Sequence, residues 1–166
     1  MYRKRSNKEA IMVENEKRHS IFRVMEEEHE SLKTVYLIVQ SKIKKLVPGQ
    51  LQLNQKEELE FLFNYYQKRL AFHFDIEESI GVLNDIWERE PYFTEKVIAL
   101  RKEHSDLVEE LARVFDFLKV GNLDSKEVID KLNVFFETFV ENLKAHEERE
   151  TTLVLKAVNT DFGESD

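Results

Sequence analysis

The sequence predicts an all-α protein folded as an up-down-up-down antiparallel four-helix bundle with pseudo-twofold duplicated helical hairpins. Its 166 residues contain only four Gly and two Pro, and the stretches between them carry apolar residues at three- and four-residue spacing. Links of fewer than about ten residues between long helices favour antiparallel neighbours.

The first two predicted helices are bounded by proline. The first, Lys17–Leu46, stops at Val47-Pro48-Gly49, because proline disfavours helix in the residue before it. The second begins at Asn54, where Asn54 and Glu57 resemble a capping box, and ends before Pro91.

The last two predicted helices are bounded by capping residues. Thr94 can cap the third helix, which ends at the Gly121-Asn122 stop. Asp124 or Ser125 can cap the fourth, which runs to about Val158.

The chain divides into an expected frayed N-terminal arm at 1–16, a bundle at 17–158 and a tail at 159–166. An acidic chain with a formal charge of −8 repels a polyphosphate backbone, which argues against nucleic-acid binding. No run of 18 apolar residues or apolar leader exists, so no membrane partner and a cytoplasmic location are expected. The absence of cysteine excludes disulfides, thiolate zinc sites, iron–sulfur ligation and cysteine nucleophiles.

Four of the five histidines fall one on each predicted helix, among apolar residues of the same face, and all four are expected to point into the core. They are His29, His73, His104 and His146. His29 lies about as far before the end of the first helix as His73 lies after the start of the second, so antiparallel packing brings them to one level.

Two carboxylates join this pattern. Glu77 lies four residues after His73, and Glu150 lies four residues after His146, so each helix presents both groups on one face. Buried carboxylates and imidazoles need compensating charge, which a cation supplies.

An internal repeat points to two cations. The interval from His29 to His104 nearly equals the interval from His73 to His146, and His73 and His146, on the second and fourth predicted helices, each begin a His-x-x-x-Glu unit. Imidazole and carboxylate ligands suit iron, manganese or zinc. Six ligands shared between two ions need bridges, for which we expect the carboxylates of Glu77 and Glu150 and an oxo or hydroxo group.

The ordered set resembles the hemerythrin-like, or HHE cation-binding, superfamily over roughly residues 19–157. The matching residues are His29, His73, Glu77, His104, His146 and Glu150. The resemblance implies a four-helix bundle with a non-haem di-iron centre, two iron ions bridged by oxo or hydroxo, manganese or zinc being less favoured. It implies these six residues as the metal ligands.

Two positions differ from the oxygen-carrying hemerythrins. Val108 stands where those proteins have a further histidine, and Glu150 follows His146 by four residues where they have an aspartate five residues on. The set looks more like the HHE branch with bacterial di-iron proteins of nitrosative or oxidative stress and an iron-sensing ubiquitin-ligase subunit. Without cysteine, the iron–sulfur repair function of some members is less favoured.

The resemblance therefore implies a protein that binds or reacts with oxygen, peroxide or nitric oxide in sensing, stress protection or iron handling. No general base or nucleophile is evident apart from the metal set, so any reaction would be metal-centred. The alternatives are a metal-stabilised interaction module without small-ligand chemistry, and an enzyme that reduces nitric oxide or repairs metal centres. The protein partner or electron donor is not identified by the sequence.

Several neighbouring residues have simpler interpretations. Tyr36 and Tyr66 lie two turns from histidines and either can line the pocket, but core tyrosines with hydroxyls at the bundle surface are favoured. Glu147 and Glu148 are interpreted as a solvated face, and His19 as solvated.

Overall fold

The fold is built from helices only, in the residues that the computed structural model describes, which are 7–52, 54–79, 82–89 and 91–163. They form α1 (Asn7–Lys44), α2 (Gln55–Ser79), α3 (Val82–Arg89), a 3-10 helix (Pro91–Phe93), α4 (Thr94–Val120) and α5 (Lys126–Gly163). The all-α prediction is confirmed over these ranges, which contain no strand.

The four long helices pack around a shared core. α1 contacts α2 and α5, and α4 contacts the same two helices. Between α1 and α2, Lys42 pairs with Glu58 near one end, and Glu28 pairs with Arg69 farther along. No helix of the described residues is long and apolar enough to cross a membrane.

Two apolar clusters fill the core. The large cluster draws on all four long helices, and its biggest side chains include Phe63, Tyr66, Phe136 and Phe139. The small cluster contains Met25, Leu83, Ile86, Phe93, Val97, Leu100, Leu153, Val154 and Ala157. On α1, α4 and α5 the predicted ligands lie in sequence between residues of the large cluster and residues of the small cluster, whereas after α2 the small cluster is reached at Leu83 of α3. The six predicted ligands therefore form a polar layer with apolar packing on both sides.

The predicted second helix corresponds to two described helices. The sequence predicts a helix from Asn54 until before Pro91, and the structure describes α2 to Ser79 and α3 at Val82–Arg89. The join predicted between them falls on residues 80–81, which lie outside the described residues. α3 contacts α1, α2, α4 and α5, so it covers the end of the bundle beside the polar layer.

The outer ends of the first and last helices also differ from prediction. α1 begins at Asn7, well before Lys17, and α5 continues to Gly163 instead of ending near Val158. The division into arm, bundle and tail stays a prediction, and both of its boundaries fall inside helices. Residues 1–6 and 164–166 lie outside the described residues.

The helix-start predictions have mixed outcomes. Ser125 caps α5, since its Oγ accepts a hydrogen bond from the Val128 N–H at 3.4 Å. Thr94 is wrong as a cap: it is the first helical residue of α4, and Phe93 occupies the cap position without a side-chain hydrogen bond. α2 begins at Gln55, directly after the predicted start at Asn54. At this helix start the Gln52 N–H donates to Gln55 Oε1, at 3.0 Å.

Both predicted stops lie where helices end: α1 ends at Lys44, two residues before the predicted Leu46 and ahead of Val47-Pro48-Gly49, and α4 ends at Val120, directly before Gly121. Gly49 has φ +70°, a conformation that favours glycine, and follows the end of α1. Gly121 ends α4 in an extended conformation, and its N–H donates to the Phe117 carbonyl at 2.9 Å.

Candidate metal centre

The polar layer brings together the six side chains that the sequence singled out. α1 contributes His29, α2 contributes His73 and Glu77, α4 contributes His104, and α5 contributes His146 and Glu150. Five of them are at most 3% exposed, whereas the His29 side chain is 14% exposed. Their placement on one face of each helix follows from the apolar stripes that surround them.

Glu77 lies at the middle of the layer. Its Oε1 is 2.9 Å from His73 Nε2 and 3.5 Å from His29 Nε2, while its Oε2 is 3.4 Å from His104 Nε2. The two oxygens therefore face different histidines, an arrangement that suits a carboxylate shared between two ions.

Two groups of ligand atoms are close enough to hold a cation each. His29, His73 and Glu77 form one group, and Glu77, His104 and His146 form the other, with ligand atoms within 4.8 Å of one another in each. Glu150 belongs to neither group, although its Oε2 is 3.4 Å from His29 Nε2. Within the described residues, Glu77 is the member common to both.

The inward-facing atoms of this layer are unsatisfied. The Nε2 atoms of all four histidines and both carboxylate oxygens of Glu77 and of Glu150 are buried without a partner of hydrogen-bond geometry in the described part of the chain, although His73 Nε2 and Glu77 Oε1 are only 2.9 Å apart. Each unsatisfied buried polar group costs about 1–3 kcal/mol, and more when charged. Cations coordinated by these atoms would remove that cost, so the donor set fits a metal centre.

The outer nitrogens of two histidines are held by carboxylates. His104 Nδ1 is 2.7 Å from Glu78 Oε1, and His146 Nδ1 is 2.8 Å from Glu103 Oε2. An Nδ1–H that donates to a carboxylate leaves the lone pair on Nε2, which faces the layer. These two imidazoles are therefore oriented for coordination through Nε2.

Sequence reasoning missed Glu78 and Glu103. Both act across helices, from α2 to α4 and from α4 to α5, so helical spacing gives no direct signal for them. Each stands next in sequence to a predicted ligand, Glu78 after Glu77 and Glu103 before His104. That adjacency is the one feature of the sequence that could have drawn attention to them.

Contacts between carboxylates and imidazoles in the layer shift the pKa values of His29 and Glu77. Burial alone would lower the pKa of His29, but the neighbouring Glu150 and Glu77 carboxylates outweigh it and raise this pKa to about 10. Burial opposes ionisation of Glu77, yet contacts with His29 and His73 bring its pKa down to about 2. One acid and one imidazole are thus charged together in the metal-free layer.

The pKa values of His104, His146 and Glu150 are shifted in the opposite directions: those of the two histidines fall and that of the glutamate rises. Burial lowers the pKa of His146 to about 4 despite its hydrogen bond with Glu103, and burial also lowers the pKa of His104. Burial raises the pKa of Glu150 to about 7, against the effect of His29. His104 and His146 are therefore neutral near pH 7, the form that binds metal.

The favoured interpretation of Tyr66 is wrong. Tyr66 is fully buried, and its hydroxyl has no hydrogen-bond partner among the described residues. Its ring packs edge-on against Phe139, with ring centres 5.8 Å apart. Tyr36 is also buried, with Lys144 Nζ 5.3 Å from its ring centre.

The prediction that Glu147 and Glu148 form a solvated face is confirmed for Glu148 and wrong for Glu147. Glu148 is exposed, but Glu147 is partly buried, and burial raises its pKa although His29 and His73 lower it. The side chain of His19 lies outside the described residues.

Comparison with protein families identifies a relationship that covers most of the chain. The model of the family described as hemerythrin HHE cation binding domain matches residues 20–158. Comparison with curated proteins and with solved structures gives no significant match. The matched range contains all six residues of the polar layer, and the chain belongs to the hemerythrin HHE cation-binding domain family.

Proposed function

We propose that the chain is a non-haem di-iron protein that binds or reacts with oxygen, peroxide or nitric oxide, in sensing, stress protection or iron handling. One observation carries the proposal: eight buried histidine and glutamate donor atoms converge without hydrogen-bond partners among the described residues. A centre of four imidazoles and two carboxylates, with no thiolate, suits iron.

The proposal includes an up-down-up-down antiparallel arrangement of α1, α2, α4 and α5. The contacts between α1 and α2 support it, because residues later in α1 meet residues earlier in α2: Lys42 pairs with Glu58, and Glu28 with Arg69. In this arrangement the two helical hairpins of the sequence repeat face each other across the polar layer.

The six residues take separate roles. His29, His73 and Glu77 would hold one ion, and His104, His146 and Glu77 would hold the other. Glu150 would supply a second carboxylate to the pair. This division follows the two groups of closely spaced ligand atoms.

When bound, iron would supply electrons and open coordination positions for a small ligand. The protein supplies the enclosure. Apolar side chains on both sides of the layer exclude bulk water, which strengthens the electrostatic interactions inside it. Because His29 is the most exposed of the six, its edge of the layer is the shortest route for a diatomic or peroxide molecule.

Anaerobic reconstitution with Fe(II) tests this function. The metal-free protein is loaded, the bound iron is counted, and optical spectra are taken before and after oxygen, peroxide or nitric oxide is added. We expect two irons per chain and new near-ultraviolet charge-transfer bands, and we expect both to be lost in His73→Ala with an intact helical circular dichroism spectrum.

Two outcomes contradict the proposal in different ways. A stoichiometry near zero in the wild-type chain removes the metal centre. Two tightly bound irons that respond to none of the three ligands instead support a metal-stabilised interaction module.

A further inference from the structure

The internal repeat is broken at the carboxylates that surround the polar layer. Glu103 stands directly before His104, and its repeat equivalent Glu28 stands directly before His29. Glu78 directly follows Glu77, and its repeat equivalent Thr151 directly follows Glu150. An exact repeat would give all four histidines the same outer contacts.

The structure shows different contacts in the two halves. Glu103 reaches His146 Nδ1, but its equivalent Glu28 pairs with Arg69. Arg69 Nη2 also donates to Ser31 Oγ at 3.2 Å, which holds the guanidinium on the α1 side.

The second pair of equivalents differs in chemistry. Glu78 Oε1 is 2.7 Å from His104 Nδ1, whereas Thr151 is partly buried and carries a hydroxyl in place of a carboxylate. Within the described part of the chain, the carboxylate contacts to histidine Nδ1 atoms are therefore confined to His104 and His146.

Glu103 is itself held in place from outside. Arg149 Nε donates to Glu103 Oε1 at 3.1 Å, and Arg149 Nη2 donates to Glu103 Oε2 at 2.9 Å. This two-point contact fixes the plane of the Glu103 carboxylate. Because Glu103 also contacts His146, it links a buried imidazole to an arginine whose side chain is 53% exposed.

A carboxylate on the outer nitrogen of a ligating histidine fixes the ring and raises its basicity, and losing such a partner typically weakens metal affinity about 10–100-fold. The His104 and His146 half has two such carboxylates. The His29 and His73 half has neither among the described residues, and His29 is also the more exposed ligand.

We propose that the two metal positions are unequal, and that the position of His104, His146 and Glu77 binds its ion more tightly and fills first. Glu78 and Glu103 are the positioning residues that cause this difference in affinity, and Arg149 fixes the orientation of the Glu103 carboxylate. This inference rests on the proposed function, since it requires two metal ions in the layer.

Single-position variants measure the two affinities separately. His29→Ala leaves the His104 and His146 position intact, and His146→Ala leaves the His29 and His73 position intact. Anaerobic titration with Fe(II) against a chelator of known affinity gives the Kd of each. We expect the Kd of His29→Ala to be at least about tenfold lower than that of His146→Ala.

Charge-removing variants then separate the role of the carboxylates from that of exposure. In the His29→Ala background, Glu103→Gln and Glu78→Gln should each raise the Kd about 10–100-fold. Glu28→Gln is the matched control, because Glu28 is the repeat equivalent of Glu103 but contacts Arg69. It should leave the Kd unchanged, and circular dichroism checks that every variant is folded.

The outcomes distinguish this inference from the proposed function. Wild-type protein that binds no Fe(II) contradicts the proposed function itself. Two ions bound with equal affinity, or a Glu28→Gln variant that weakens binding as much as Glu103→Gln, contradicts the inequality and leaves the metal centre standing.

Discussion

Tyr66 buries a phenol hydroxyl that has no hydrogen-bond partner among the described residues. Burial also raises its pKa well above the ordinary value of a tyrosine. A buried hydroxyl without a partner costs about 1–3 kcal/mol, so removing it should stabilise the metal-free protein. We expect Tyr66→Phe to raise the free energy of unfolding by about 1 kcal/mol, measured by urea denaturation.

Tyr65→Phe is the control for this substitution, since Tyr65 is the neighbouring residue and is 45% exposed. Its effect should stay within about 0.5 kcal/mol. A Tyr66→Phe variant that is less stable than wild type would show that the hydroxyl has a partner in solution.

His29 makes metal binding depend on pH. Its pKa of about 10 keeps a proton on the metal-free imidazole at pH 7, and the pKa of Glu150 is about 7. Both groups must lose their protons to coordinate a metal, so binding releases protons and a higher pH favours it. The apparent affinity should rise about tenfold per pH unit between pH 7 and 9, and more steeply below pH 7.

Calorimetry in buffers of different ionisation enthalpy measures the released protons directly. His146 should release none at pH 7, because burial lowers its pKa to about 4. An affinity for Fe(II) that is constant between pH 6 and 9 would contradict the charge state assigned to His29.

The ligand residues could be predicted from the sequence because each lies on an apolar stripe of its own helix. His73 and Glu77, for example, share a face through a spacing of four residues. The contacts of Glu78 and Glu103 could not, because each reaches a histidine on another helix. Their positions depend on how the helices pack, which helical periodicity does not encode.

Gly121 ends α4 at a point where a side chain has no room. An added Cβ would lie 2.9 Å from the Phe117 carbonyl oxygen and 2.9 Å from Val128 Cγ1. The Val128 side chain can move, but the carbonyl belongs to the helix backbone. Gly121→Ala should therefore lower the free energy of unfolding by about 1–3 kcal/mol, measured by urea denaturation.

Val120→Ala tests the same turn without the close approach, because Val120 is 85% exposed. Its effect should be within about 0.5 kcal/mol. Equal stabilities of Gly121→Ala and wild type would mean that the connection between α4 and α5 relaxes around the new methyl group.

At the scale of elements, the long helices follow from the periodicity of apolar residues, whereas the helix ends are set by individual proline, glycine and capping residues. The end of α1 was predictable from Pro48, the end of α4 from Gly121, and the Ser125 cap from its hydroxyl. The partners of α3 were not predictable, because residues 82–89 show only an amphipathic pattern. α3 is fixed by packing of Leu83 and Ile86 in the small cluster, a tertiary contact.

The whole molecule places a charged layer between two apolar clusters, so its stability should depend on metal. An ion that binds only the folded state stabilises it by about 2.7 kcal/mol at a hundredfold excess over Kd. For a chain of this size, that corresponds to a rise of roughly 5–10 °C in the unfolding temperature. Thermal unfolding with and without Fe(II), under anaerobic conditions, measures the rise.

The rise should disappear on addition of a chelator and should be absent in His73→Ala. An equal rise in wild type and His73→Ala would place the stabilising ion elsewhere on the acidic surface.

The location of the metal is the central claim, and anomalous scattering at the iron edge from crystals of the Fe(II)-loaded protein tests it most directly. We expect two anomalous peaks per chain, one beside His29 and His73 and one beside His104 and His146, with Glu77 between them. Peaks outside the polar layer, or a layer without iron in crystals of loaded protein, would contradict the account.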